Sequence, residues 1–209
     1  KHPASQVYTF EYSVCYDDFN ITVETIPAQE YTGAQIKPVV KAYDGDMLLT
    51  LNKDYTLSYK NNINAAAAGS ENAPTVILKG KGAYSDTIEI PFTIKSKSYF
   101  TDISGKTFLP LTETDGVWTA DLKDAGIVVK DGKKVLKEGT DYTVTYSVYT
   151  GSDFKKMDSS VVICTENNTT ALIEVNGKGN YEGAVIFHNV DLSCRTDFTK
   201  AKITLAQSK

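Results

Sequence analysis

Asp54-Tyr55-Thr56-Leu57-Ser58-Tyr59 returns as Asp141-Tyr142-Thr143-Val144-Thr145-Tyr146, and Gly80-Lys81-Gly82-Ala83-Tyr84 returns as Gly177-Lys178-Gly179-Asn180-Tyr181. The first pair is offset by 87 positions and the second by 97. A repeat of that size is one small domain long, so the chain reads as an array rather than one large fold. Asp44-Gly45 and Asp131-Gly132 share the shorter offset. The extra positions therefore fall between Tyr146 and Gly177, in a polar stretch that carries Tyr149 and Phe154. A further echo, Cys15-Tyr16-Asp17-Asp18-Phe19 against Cys194-Arg195-Thr196-Asp197-Phe198, spans two repeats. Residues 1–19 then read as the end of a preceding repeat or an N-terminal strand. Residues 20–97 are repeat 1, and residues 98–196 are repeat 2 with its loop insertion. Residues 197–209 are the start of a following repeat or a C-terminal strand.

A length of 209 residues suits two such domains. The net charge of −4, with Lys and Asp interspersed, provides no concentrated basic face, which argues against nucleic acid as a partner, and none is expected. The apolar runs are far shorter than the roughly 20 residues of a membrane span, so no membrane insertion is expected. Lys1-His2-Pro3 reads as a trimmed start, which leaves room for a secretion signal that has been removed.

The periodicity is that of strands. Ile88, Ile90, Phe92 and Ile94 alternate with Glu89, Pro91 and Thr93, and Ala171, Ile173 and Val175 alternate with Leu172 and Glu174. A period of two sends one set to a buried face and the other to solvent. Tyr8, Phe10, Tyr12 and Val14 alternate in the same way. Pro91 has no backbone donor, so its strand belongs at a sheet edge or leaves that position unpaired. The Gly-Lys-Gly phrases and the two Asp-Gly pairs mark turns between strands. Tyr84 and Tyr181, two residues beyond their phrases, are expected to bond their hydroxyls to backbone, by analogy with tyrosine corners. Each unit then has about seven short strands, enough for a sandwich of two antiparallel sheets.

The order Tyr31-Thr32-Gly33, Ile36-Lys37-Pro38, Asp44-Gly45, Asp54-Tyr55-Thr56, Asn61-Asn62, Gly80-Lys81-Gly82-Ala83-Tyr84 and Phe92-Thr93-Ile94 carries a resemblance. It resembles the tandem Ig-like repeats of large secreted or wall-attached proteins of Gram-positive, often gut-dwelling, bacteria. The resemblance implies an all-β fold of tandem Ig-like β-sandwich domains of antiparallel strands. It also implies an extracellular location and neighbouring Ig-like repeats of the same polypeptide as partners. It does not choose a function, because such repeats accompany enzymes, adhesins and binding modules. The second copy departs from the pattern in two places: Trp118 and its neighbours replace the Tyr-Thr-Gly opening, and the insertion lengthens a loop. Proteins of this kind also form Lys–Asn isopeptide crosslinks, but Lys and Asn are too plentiful here for the sequence to select a pair.

Candidate chemistry is sparse. His188 sits in a strand pattern and reads as structural, and His2 is terminal. No Gly-x-Ser-x-Gly elbow, His-rich metal pair or EF-hand pattern occurs, so no catalytic residue, metal or cofactor is expected. Three cysteines are an odd number. If Asn167-Asn168 and Lys178-Gly179 are hairpin turns, Cys164 lies level with Ala171 and Ala171 with about His188. Cys194 is then roughly 20 Å further along, too far for a bond to Cys164.

The binding candidates are aromatic. Trp118, with Phe108 nearby in sequence, belongs to the unusual opening, while Tyr149 and Phe154 border the insertion. Exposed rings of this kind stack on sugar faces or anchor a protein partner. The competing reading makes Trp118 the core aromatic of its domain. Two functions follow: a non-catalytic spacer in a surface protein, or a module that binds carbohydrate or host glycoprotein through Trp118, Tyr149 and Phe154. A hydrolase fragment is a third reading, and the missing site argues against it.

Overall fold

The computed structural model describes residues 21–165 and 170–192. The strand expected from Tyr8 to Val14, both ends of the cysteine echo and the segment 197–209 lie outside the described residues. The chain divides into two compact units between Lys95 and Ser96.

Unit 1 holds β1 (Ile21–Val23), β2 (Gln29–Glu30), β3 (Ala42–Asp44), β4 (Met47–Leu48), β5 (Tyr55–Lys60), β6 (Thr75–Gly80), β7 (Thr87–Pro91) and β8 (Ile94–Lys95). Strands β5, β6 and β7 form one antiparallel sheet, and β1, β3 and β4 form another. β2 pairs with β8 in parallel. Pro91 lies on β7, the edge strand its missing donor requires. The alternation read from sequence places Phe92 and Ile94 in the core with Val76 and Leu78, all close to zero exposure. Burying each of these side chains contributes about 2 kcal/mol.

Unit 2 holds β9 (Asp102–Ser104), β10 (Thr112–Thr114), β11 (Val117–Asp121), β12 (Val128–Asp131), β13 (Lys134–Val135), β14 (Tyr142–Tyr149), β15 (Phe154–Met157), β16 (Val161–Ile163), β17 (Thr170–Gly177) and β18 (Val185–Asp191). Its four-stranded sheet runs β15-β14-β17-β18, and β13-β12-β9 corresponds to β4-β3-β1 of unit 1. A third sheet, β10-β11-β16, has no counterpart among the described residues of unit 1. Ala120, Leu122 and Val162 from this side pack in one core with Ala171, Ile173 and Val190 from the four-stranded sheet. The described residues form an all-β protein built mainly from antiparallel sheets, as in a β-sandwich fold.

The insertion corrects one expected register. β16 pairs with β11, not with β17, so Cys164 stands opposite Trp118 and its amide donates to the Trp118 carbonyl at 2.8 Å. Ala171 stands opposite Val190, not His188. The assumption that strands adjacent in sequence pair with each other failed here. After β15 the chain crosses to the other layer, and the Leu122 amide bonds Ser160 at the crossing. Cys194 lies outside the described residues.

Candidate functional site

The repeated phrases meet in space and build the same set of bonds twice. The Tyr84 hydroxyl donates to Asp44 Oδ2 at 3.1 Å, and Tyr181 donates to Asp131 Oδ2 at 3.1 Å. The expected backbone partner is thus replaced by the carboxylate of the Asp-Gly turn. Lys81 Nζ donates to the Asn52 carbonyl at 2.7 Å, and Lys178 Nζ to the Gly139 carbonyl at 3.0 Å. Asn52 and Gly139 differ as residues yet share a left-handed backbone, with φ of 67° and 80°. Asp54 and Asp141 each accept an amide four residues back, from Thr50 at 2.8 Å and Lys137 at 2.9 Å. The Lys81 and Lys178 amides bond the Asp54 and Asp141 carbonyls at 2.9 Å in both copies.

Two glycines are required for different reasons. Gly82 and Gly179 take φ of 71° and 61°, where a Cβ is strained. Gly80 and Gly177 are close-approach positions. A Cβ at Gly80 would stand 2.8 Å from the Tyr84 carbonyl, and one at Gly177 would overlap the Tyr181 carbonyl outright. The doubled sequence therefore encodes a turn-locking arrangement whose polar groups bond within their own unit.

Unit 2 adds a cation to this arrangement. Lys97 Nζ bonds Asp131 Oδ1, and the same ammonium lies 4.6 Å from the Tyr99 ring centroid. The hydrogen bond to Asp131 raises the Lys97 pKa. The amine is thus held as a protonated ammonium without the lone pair that attack on a carbonyl needs, and the contact is an ion pair. Ser96 and Lys97 are further tied by Ser96 Oγ to the Glu182 carbonyl at 3.0 Å and the Lys97 amide to the Asn180 carbonyl at 2.8 Å.

His188 faces Ile173 across β17–β18, and its Nε2 lies 3.1 Å from the Lys106 carbonyl. No group of three or more His, Cys, Asp or Glu side chains among the described residues is arranged to hold a metal ion. No helix among them is long and apolar enough to cross a membrane.

The aromatic candidates divide between two sheets. Trp118 lies on β11 opposite Glu113 and is 46% exposed, so it is not the core aromatic of its domain. It shares a strand face with the buried Ala120 but stands at the open end of that face. Tyr149 and Phe154 face each other across the β14–β15 hairpin, with ring centroids 5.4 Å apart and planes tilted by 56°. The Tyr149 hydroxyl donates to the Gly151 carbonyl at 2.9 Å, closing the hairpin loop. Tyr149 and Phe154 are brought together, and Trp118 belongs to the other sheet. Phe108 is half-buried and bridges to Asp191 in parallel.

A cleft in unit 1 escaped the sequence reading. The connection from β5 to β6, residues 61–74, encloses about 510 Å³ lined by Asn61, Asn62, Asn64 and Asn72 together with Ile63 and two alanines. Four asparagines within one loop were the available signal.

No known protein family, curated protein or solved structure matches the chain.

Proposed function

We propose that the chain is a non-catalytic structural spacer of a larger bacterial cell-surface or secreted protein, built from tandem Ig-like repeats. The observation that carries this reading is the double use of the repeated phrases. Every residue pair followed through both copies closes its own unit, by the Tyr–Asp, Lys–carbonyl and Asp–amide bonds. Residues that recur for such a purpose specify a fold and leave no recurring group for chemistry.

A second reading, an adhesive module for carbohydrate or host glycoprotein, is favoured by the half-exposed Trp118 and by Phe154 at 39% exposure. A glycan and host-glycoprotein array probed with the whole chain separates the two. The spacer predicts no binding that Trp118→Ala removes. Binding lost in Trp118→Ala, with an unchanged circular dichroism spectrum, would overturn it.

A further inference from the structure

The connection from β5 to β6 and that from β14 to β17 occupy the same place in the two units, yet they are built differently. Unit 2 fills it with β15 and β16. Unit 1 uses residues 61–74, which contain no strand, and loops of this length without secondary structure are uncommon unless they carry a function. Unit 2 shows that the sandwich does not need such a loop.

The loop is held in place at several points. The Ile36 amide bonds the Asn62 carbonyl at 2.8 Å, and Asn62 Nδ2 returns a bond to the Ile36 carbonyl at 2.8 Å. Ala66 exchanges two bonds with Ile94, at 2.9 and 3.0 Å, and the Ala68 amide donates to Thr93 Oγ1 at 3.1 Å. The far limb ends where the Phe92 amide bonds the Pro74 carbonyl at 2.8 Å. Ile94 and Phe92 are core residues at 1% exposure, so the loop is anchored to the packed core of the unit. The cleft between its limbs is therefore preformed, which lowers the ordering cost of binding.

We propose that this cleft is a binding site for a neutral glycan of one or two sugar residues. Its volume of about 510 Å³ falls in the range of small-ligand sites, roughly 300–1,000 Å³. The lining side chains that hydrogen-bond are all asparagines, and none is charged. A carboxamide offers a donor and an acceptor side by side, matching the paired hydroxyls of a sugar ring, which likewise donate and accept. An anionic ligand would find no cation here, and a purely apolar one would strip water from the exposed Asn61 and Asn72 carboxamides without replacing their bonds. Ile63, 41% exposed, supplies an apolar patch for the C–H face of a ring. This site lies in the unit opposite to the aromatic candidates and goes beyond the spacer reading: a spacer that also holds a sugar is an adhesive spacer.

The test is a nitrogen-15 NMR titration of the whole chain with maltose, cellobiose, lactose and diacetylchitobiose, each to about 20 mM, with sialyllactose as the charged comparator. We expect at least one neutral sugar to give saturable shifts at residues 61–66 and at the Asn72 side-chain amide, with a Kd of about 1 mM. Asn72→Ala weakens that binding about fivefold, with the unfolding midpoint of unit 1 unchanged, and sialyllactose binds no more tightly than lactose. The proposal is overturned if no neutral sugar gives saturable shifts. It is equally overturned if the shifts map around Trp118 in unit 2, or if Asn72→Ala binds as the parent does.

Discussion

At the connection that follows the Asp-Tyr-Thr strand, unit 1 is tied by hydrogen bonds and unit 2 by an added sheet. In unit 1, Asn62 and Ile36 exchange two bonds, and Asn62 is 5% exposed. In unit 2, β11 and β16 pair at the corresponding place and bury Ala120, Leu122 and Val162. Two hydrogen bonds contribute about 2 kcal/mol net, while burial of Leu122 and Val162 alone contributes about 4. The extra residues of the second copy therefore replace a polar tie with apolar packing. Unit 1 keeps the more economical tie, and with it an open polar cleft.

The comparison breaks most readily at the close-approach glycines. Gly177→Ala should cost unit 2 more than about 4 kcal/mol, because the clash is with backbone that cannot move aside. Gly80→Ala should cost unit 1 about 2–4 kcal/mol, because its contacts too are with backbone, and less than Gly177→Ala because the approach is 2.8 Å rather than an outright overlap. Calorimetry on the whole chain resolves the two transitions. Equal losses would mean that the two turns are packed alike.

Asn62→Ala should lower unit 1 by about 1–3 kcal/mol and leave unit 2 untouched, since it strands the buried Ile36 carbonyl without its donor. Hydrogen exchange at the Ile36 amide should rise in parallel. If unit 1 melts as before, the tie is not what holds that connection.

Tyr181 is fully buried and Tyr84 is only half-buried, although both donate to an aspartate at 3.1 Å. Tyr181→Phe should cost about 2 kcal/mol and Tyr84→Phe about 1 kcal/mol or less, measured by urea unfolding of each variant. The reverse order would show that the added Lys97 makes the Tyr181 bond redundant.

The smallest expected effect is a pH slope. The Lys97 pKa is raised by its bond to Asp131 from an ordinary value of 10.5. Its contribution is therefore complete below pH 10.5 and is lost as pH rises through the higher folded value. Buried Tyr55 and half-buried Tyr59 in unit 1, and buried Tyr142 and half-buried Tyr146 in unit 2, are also raised, chiefly by loss of solvent around the ring, so both units soften in alkali. Lys97→Met should flatten the alkaline slope of unit 2 alone. If the slopes of the two units change together, the ion pair is not confined to unit 2.

Much of this architecture is legible in the residues. The alternation in 171–175 marks the buried face of β17, and Pro91 marks an edge. The doubled Gly-Lys-Gly-x-Tyr phrase marks a turn because its glycines answer local needs, a positive φ and a close backbone approach. The tyrosine's partner was not legible. Asp131 lies 50 positions from Tyr181, and no local rule connects them. Asn52 and Gly139 occupy the same left-handed position but share no side chain, so their equivalence is invisible to sequence comparison. The departures at Trp118 and at the insertion read as two separate oddities. In space they are one feature, the β11–β16 pair.

Sequence by itself determined the repeat, the strand periodicity and the positions of the turns, because each depends on backbone preferences within a few residues. Tertiary structure alone decided where β16 pairs, which sheet carries Trp118, and that four asparagines of one loop surround a cleft. Those outcomes depend on which apolar faces find each other across long stretches of chain. Spacing along the chain does not encode that choice; the packing of the two layers does.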